Sequence, residues 1–270
     1  MTFDARETSI ENAQPIRLYR FTRGLVNWHY TGADTDFVYG IATYESIAIQ
    51  DEGIRQTGET SADEYTIRVP SDLPVVAAFR TAPPAAEVGV TVWDTHYGET
   101  EARIAFVGVI RGVRRATPET ALITCQSDVA SLERPGLRLG WERGCTHTLY
   151  DIGCKASPGL FGVSGLILST TGATITAGAW AVGDGYFAGG YVQWPIGGGE
   201  FDRRGIEFHA GSTLTLIGGA DSIPTGIYAT AYPGCSRKLT DCNTKFSNAV
   251  NYGGFTAIPG KSPFDGDAIM

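Results

Sequence analysis

The chain has 270 residues and a mass of 28.8 kDa, with 43% hydrophobic and 19% charged residues, a net charge of −8 and a pI near 5.0. That length supports one large or two ordinary domains with real cores, and the composition is not that of a disordered or fibrous chain. The acidic balance lacks the footprint for gripping a phosphate backbone, which argues against sequence-specific nucleic-acid binding. The opening residues, Met1-Thr2-Phe3-Asp4-Ala5-Arg6-Glu7, carry no basic-then-apolar leader, and no stretch nears ~18 uninterrupted apolar residues. Neither a signal peptide nor an integral membrane segment is therefore expected, and the chain is expected to fold in cytoplasm. There thiols stay reduced, which turns the cysteines toward metal and away from disulfides.

The 35 glycines and 13 prolines interrupt runs of Val, Ile, Thr, Tyr and Phe, the pattern of an all-β chain. Residues 1–12 are polar and predict a loose arm that needs a neighbour to order it. A meander of short strands follows over Ile16–Thr22, Val26–Tyr30, Phe37–Tyr39 and Ala42–Gln50. Alternation is strict in Glu64–Val69, with Tyr65, Ile67 and Val69 on one face. A short helix fits Val75–Thr81. Val88–Trp93 and Ile104–Ile110 are the clearest strands, flanking a turn at Gly98-Glu99; Val113 opens another, and Ala121–Cys125 closes the set. Ser127 can cap a brief helix through Leu132 before Pro135 ends it. The sheet pattern stops near 136–144, which places a boundary between domains 1–140 and 141–270.

In the second half, strands fit Phe161–Leu168, Ala173–Thr176 and Tyr191–Trp194, and a hairpin fits Gly205–His209 with Thr213–Leu216 about Ala210-Gly211-Ser212. Four cysteines frame this glycine-rich β domain: Cys145 and Cys154 spaced C-x8-C, Cys235 and Cys242 spaced C-x6-C. Four soft thiolates converging from two loops suit a tetrahedral zinc ion or an iron–sulfur cluster, and the spacing alone does not choose between them. Cys125 sits on a strand, where a thiol serves as a small apolar residue.

Elsewhere no catalytic constellation rises above background. His147, two residues after Cys145, is a candidate ligand or general base, with a packed supporting histidine as the plainer reading. His29, His96 and His209 have no partner spacing. Asp184, Glu200, Asp202 and Glu207 read as solvated loop charges. The Gly183–Gly190 run looks like a phosphate cradle only superficially, because no helix follows it.

Taken together, Cys145–Cys154, Gly183–Gly190, Tyr232-Pro233-Gly234-Cys235, Cys242–Asn248, Asn251–Phe255 and Ile258-Pro259-Gly260 resemble a family of tail proteins of long-tailed phages and gene transfer agents. Thr35–Gly40, Val69-Pro70 and Leu132–Leu137 extend the resemblance through the first half. It implies a mainly β fold, an antiparallel, barrel-like hub domain followed by a small β domain closed by the four-cysteine site. It implies a structural, non-enzymatic role at the tail tip or baseplate hub, between the distal tail protein and the central fibre or spike protein. Cys145, Cys154, Cys235 and Cys242 match the ligands of a [4Fe–4S] cluster in that family, with zinc as the alternative. A ring-shaped homo-oligomer is expected, a trimer before a hexamer, in a virion assembled in the host cytoplasm. The competing reading is a cell-wall hydrolase or redox enzyme using Cys145 or His147.

Overall fold

The computed structural model describes residues 3–11, 13–54, 64–129, 136 and 140–258. The chain forms two compact units, one of Met1–Arg134 with Pro195–Asp202, the other of Pro135–Trp194 with Arg203–Met270. The helix expected after Ser127, the Leu132–Leu137 block apart from Gly136, and Pro259-Gly260 lie outside the described residues.

The first unit opens with α1 (Phe3–Glu7), where the sequence predicts a loose arm. This short helix is held within its own chain. Phe3 is buried against the His96 ring, with the Arg103 guanidinium 4.7 Å from its ring centre. Glu7 meets His96 Nε2 at 3.0 Å, and Arg6 donates to the Tyr97 carbonyl. One aromatic anchor among polar residues was enough to reverse the expectation, because its seat is made by residues some ninety positions away.

Strands β1 (Pro15–Arg23), β2 (Val26–Thr31), β3 (Phe37–Tyr39), β4 (Ala42–Ser46), β5 (Gln50–Asp51) and β6 (Glu64–Pro70) follow, then α2 (Pro74–Ala77), β7 (Gly89–His96), β8 (Arg103–Arg115) and β9 (Thr120–Ser127). They make one nine-stranded sheet in the order β3-β4-β2-β1-β7-β8-β9-β6-β5, antiparallel except for the β2–β4 pair. The strand expected over Ala42–Gln50 ends at Ser46, and residues 47–49 lead into β5 at Gln50. Val113 opens no new strand. It lies inside β8, which carries a bulge between Ile110 and Gly112 that resets the alternation.

Alternation supplies the core. Tyr19 and Phe21, Val90 and Val92, Phe106 and Ile110, Ala121 and Ile123, and Tyr65, Ile67 and Val69 are buried together. The sheet curls into an incomplete barrel, since edge strand β5 reaches back to β1. Asp51 accepts hydrogen bonds from Arg17 Nη1 at 2.8 Å and from the Tyr19 hydroxyl at 2.5 Å, while Arg17 Nε reaches Asp94 at 2.6 Å. The opposite face of β1 buries Ile16 and Leu18 with Tyr44, so both faces of this strand are covered. Cys125 lies wholly buried in the core, and burial pushes its thiol up to about 12.

In the second unit α3 (Pro158–Phe161) precedes β10 (Val163–Leu166), β11 (Ser169–Thr171), β12 (Thr174–Thr176), β13 (Tyr191–Gly197), β14 (Glu200–Ala210), β15 (Thr213–Leu216) and β16 (Tyr228–Tyr232), and α4 (Leu239–Thr244) follows. The sheet order is β10-β16-β13-β14-β15-β12-β11. The expected hairpin about Gly211 is the β14–β15 connection, with His209 opposite Leu214. Trp180, Trp194, Phe187, Ile175 and Leu214 fill the core, and the Trp180 indole N–H donates to the Val163 carbonyl at 3.1 Å. Strand β16 and helix α4 had no clear sequence signal, yet they carry the chain to Cys235 and Cys242.

Candidate metal centre

The four cysteines come from four local settings. Cys145 lies in an irregular loop whose backbone N–H bonds to the Arg237 carbonyl at 2.9 Å, tying the first cysteine loop to the second. Cys154 ends a turn organised by Asp151, whose carboxylate accepts the Cys154 N–H at 2.6 Å and the Thr148 N–H at 3.0 Å. Cys235 follows β16, and Cys242 sits on α4. Asp241 serves the second loop as Asp151 serves the first, accepting the Ser236 N–H at 3.0 Å. These donors hold both carboxyls below the usual range: for Asp151 first the Cys154 N–H, for Asp241 first the Ser236 side chain.

All four cysteines line one cavity of about 220 Å³, together with His147, Arg237, Asn248 and Asn251. Among the described residues no group of three or more His, Cys, Asp or Glu side chains stands arranged to hold a metal ion, so the four cysteines line a cavity without forming the expected closed four-cysteine site. Donors nonetheless point at the sulfurs. The Gly253 N–H lies 3.3 Å from Cys145 Sγ, the Arg237 N–H 3.4 Å from Cys235 Sγ, and Asn248 Nδ2 3.7 Å from Cys154 Sγ. The Cys242 thiol donates instead to the Asn248 carbonyl at 3.2 Å. Burial raises the Cys235 and Cys242 thiols above their ordinary value, and for each the neighbouring thiols add to the shift.

Backbone strain gathers here as well. Tyr150, Lys155, Arg237 and Ser247, with φ of 69°, 57°, 60° and 49°, are the non-glycine residues in the left-handed region among the described residues. Each such residue costs of order 1 kcal/mol and persists only where the surroundings fix it. For Tyr150 the fixing groups are identifiable. The Tyr150 hydroxyl donates to the Pro233 carbonyl at 3.1 Å, and its ring meets Tyr191, Tyr232 and Phe246 edge-on. Lys245 Nζ donates to the Tyr186 and Gly234 carbonyls at 2.5 and 2.8 Å.

Asn248 joins the two loops most directly. Its side chain donates to the Cys154 carbonyl at 2.5 Å, its N–H bonds to the Cys242 carbonyl at 2.8 Å, and its Oδ1 accepts from Asn251 at 2.6 Å. Sequence reasoning passed over Asn248 and Lys245; only their place within a cysteine-bounded block hinted at them. His147 lies between two glycines. A Cβ on Gly153 would stand 2.5 Å from its Nδ1, and one on Gly253 2.5 Å from its Nε2. The ring thus fills a slot beside the cavity.

The remaining candidates are dispersed. His209 is buried and meets the Trp180 and Gly211 carbonyls through Nε2. Asp184 accepts the Gly211 N–H, Glu200 the Leu25 N–H, and Asp202 pairs with Arg23 at 3.0 Å. No helix among the described residues is long and apolar enough to cross a membrane.

Comparison with known proteins adds independent findings. Residues 185–262 match the family described as phage conserved hypothetical protein BR0599. An uncharacterized protein of Xylella fastidiosa (strain 9a5c) is 30% identical over 184 residues, 62% of this chain; the match spans 38% of that longer relative. A chain in the structure titled virion of native gene transfer agent (GTA) particle superposes with a TM-score of 0.77 at 19% identity, covering 96% of this chain and 93% of that one. The fold is therefore shared with a chain of that gene transfer agent virion. Residues 16–157, more than half of the chain, match the family described as baseplate hub protein, N-terminal attachment domain. The chain belongs to this family of phage baseplate hub proteins.

Proposed function

We propose that this protein is a non-enzymatic structural component of a phage or phage-like tail tip, joining the distal tail protein to the central fibre or spike protein as a ring-shaped homo-oligomer. In its second unit Cys145, Cys154, Cys235 and Cys242 would hold a [4Fe–4S] cluster. The observation that carries the cluster reading is the cavity itself: thiols from two sequence-distant loops line one space, with N–H donors directed at three of the sulfurs. Backbone and amide donors of this kind stabilise thiolates and tune bound clusters. A space of about 220 Å³ also exceeds what one water needs, roughly 10–15 Å³. When bound, the cluster supplies four iron–thiolate bonds that cross-link the loops.

The chain's own residues do the rest. Asp151 and Asp241 shape the loops, Asn248 ties them together, Lys245 holds the second loop to Tyr186, and His147 fills the slot between Gly153 and Gly253. Such a staple suits a small domain rich in glycine and irregular chain. The acidic charge of the whole protein suits a lumen that DNA slides past without adhering.

The test is an ultraviolet–visible spectrum with iron, sulfide and zinc analysis on anaerobically purified protein. A broad band near ~400 nm with about four irons per chain supports the cluster. Colourless protein with one zinc replaces the cluster and leaves the tail role standing. Metal-free protein with an intact fold removes the cofactor reading. Cys145→Ala is expected to lose the metal and destabilise the second unit; loss of a hydrolytic activity with fold and metal retained would favour an enzyme instead.

A further inference from the structure

The four sulfurs at the candidate metal centre stand in unlike surroundings. Cys145 Sγ receives the Gly253 N–H at 3.3 Å, Cys235 Sγ the Arg237 N–H at 3.4 Å, and Cys154 Sγ the Asn248 amide at 3.7 Å. Donors of this kind favour the thiolate, which is the form that binds soft metals. Cys242 is the exception. Its thiol donates to the Asn248 carbonyl at 3.2 Å, and among the described residues no N–H is directed at its sulfur. A thiolate held there would face the negative end of a carbonyl dipole.

Local structure explains the difference. Cys242 lies on α4, and its own carbonyl accepts the Asn248 N–H at 2.8 Å, so the two residues are joined by reciprocal bonds. Ser247, with φ of 49°, turns the chain back between them. The Asn248 carbonyl also accepts the Asn251 N–H at 3.0 Å. It therefore stays paired when the Cys242 sulfur turns away, and the move orphans no buried acceptor. Cys145 and Cys235 differ: turning either sulfur from its place strips the Gly253 or Arg237 N–H of its acceptor. Yet Cys242 lines the same cavity as the other three, so its sulfur has two places to go. One is the Asn248 carbonyl and the other is the cavity.

We infer that Cys242 is an exchangeable ligand: Cys145, Cys154 and Cys235 hold the metal permanently, while Cys242 alternates with an incoming small-molecule thiolate at the fourth position. The inference rests on the metal-centre reading proposed above. Exchange breaks the metal–sulfur bond to Cys242 and forms one to the incoming sulfur. The proton of the incoming thiol passes to the Cys242 sulfur, which then donates it to the Asn248 carbonyl. A thiolate is the matching group because soft metals prefer sulfur ligands. His147 does not compete for the position. Its ring is confined between Gly153 and Gly253, where an added Cβ would meet a ring nitrogen at 2.5 Å on either side.

The experiment compares Cys145→Ser, Cys154→Ser, Cys235→Ser and Cys242→Ser in the full chain, purified anaerobically. Iron content and iron release to a ferrous chelator are measured, with and without mercaptoethanol. At position 242 serine keeps a donor for the Asn248 carbonyl. Cys242→Ser is expected to keep at least ~half of the wild-type iron and to release it ~10-fold faster, with mercaptoethanol restoring release to within ~3-fold of wild type. The other three are expected to retain less than ~10% of the iron, with or without the thiol. Fluorescence of the buried Trp180 and Trp194 reports whether the second unit of each variant is folded, and Cys242→Ala replaces a serine variant that is not. Iron lost equally from all four folded variants leaves the cluster reading standing and overturns the exchange. Iron kept by Cys242→Ser with no response to mercaptoethanol overturns it as well. Equal retention in all four shows that these sulfurs do not hold the metal and overturns both readings. A wild type that carries zinc goes through the same comparison with zinc content as the readout. A metal-free wild type removes the metal-centre reading and the inference with it.

Discussion

Replacing Asn248 with Asp tests whether the cysteine loops depend on this one side chain. The change keeps the shape but turns the Nδ2 donor into a carboxylate oxygen. The Cys154 carbonyl, 2.5 Å away, loses its donor, and the Cys154 sulfur, 3.7 Å away, faces a negative charge. Leaving a partly buried carbonyl unpaired costs about 1–3 kcal/mol, and the new repulsion adds on the order of 1 kcal/mol, moderated by the half-exposed setting. A total of about 2–4 kcal/mol corresponds to a melting temperature lower by roughly 5–15 °C for a unit of this size. Fluorescence of Trp180 and Trp194, both buried in the second unit's core, follows its unfolding. If the proposed cluster is bound, its release to a chelator gives a second readout, with release expected to be at least ~10-fold faster. Asn243→Asp makes the same charge change at an exposed neighbour and controls for electrostatics at large. If Asn248→Asp melts within ~1 °C of wild type, the loops are held by something else.

Arg17→Met probes closure of the first unit's sheet. Arg17 bonds to Asp51 and Asp94 but is partly exposed, so after discounting for solvent the loss is about 2–3 kcal/mol near neutral pH. Burial works to raise the Asp51 carboxyl, yet hydrogen bonds from Tyr19 and Arg17 outweigh it and hold it below the usual range. Its contribution is therefore present above ~pH 4 and lost as pH falls through the depressed value. The stability gap between wild type and variant, measured in urea, is expected to be large at pH 7 and to shrink toward pH 3; an equal gap at both would refute the assignment. Gly253→Ala drives a methyl into an imidazole already confined by Gly153, at a cost of about 1–3 kcal/mol. In a His147→Ala background that cost should vanish, and a double-mutant cycle showing additive effects would refute the slot.

Much of the architecture follows from local pattern. Period-two alternation in Glu64–Val69 can bury Tyr65, Ile67 and Val69 only as a strand, and they are buried. The cysteine-bounded blocks likewise carried the tail-protein resemblance, because their residue types and spacing are themselves the signal. Local pattern failed where a partner lay far along the chain. The polar segment holding Phe3 became a helix because His96 and Arg103 make its seat, and the β8 bulge hid one long strand as two. The same holds at the candidate centre. Cysteine spacing marked two loops, but Asn248 and Lys245, and the left-handed backbone at Tyr150, Lys155, Arg237 and Ser247, are unremarkable in sequence. Their roles arise only when tertiary packing brings the Cys154, Tyr186 and Gly234 carbonyls within hydrogen-bond reach. Sequence alone thus determined the β class and the strands with strict alternation, such as Glu64–Pro70, since alternation is a property of neighbours along the chain. Only the tertiary structure decided that four thiols share one cavity and which polar groups hold it open, since unpaired polar groups find their partners through space.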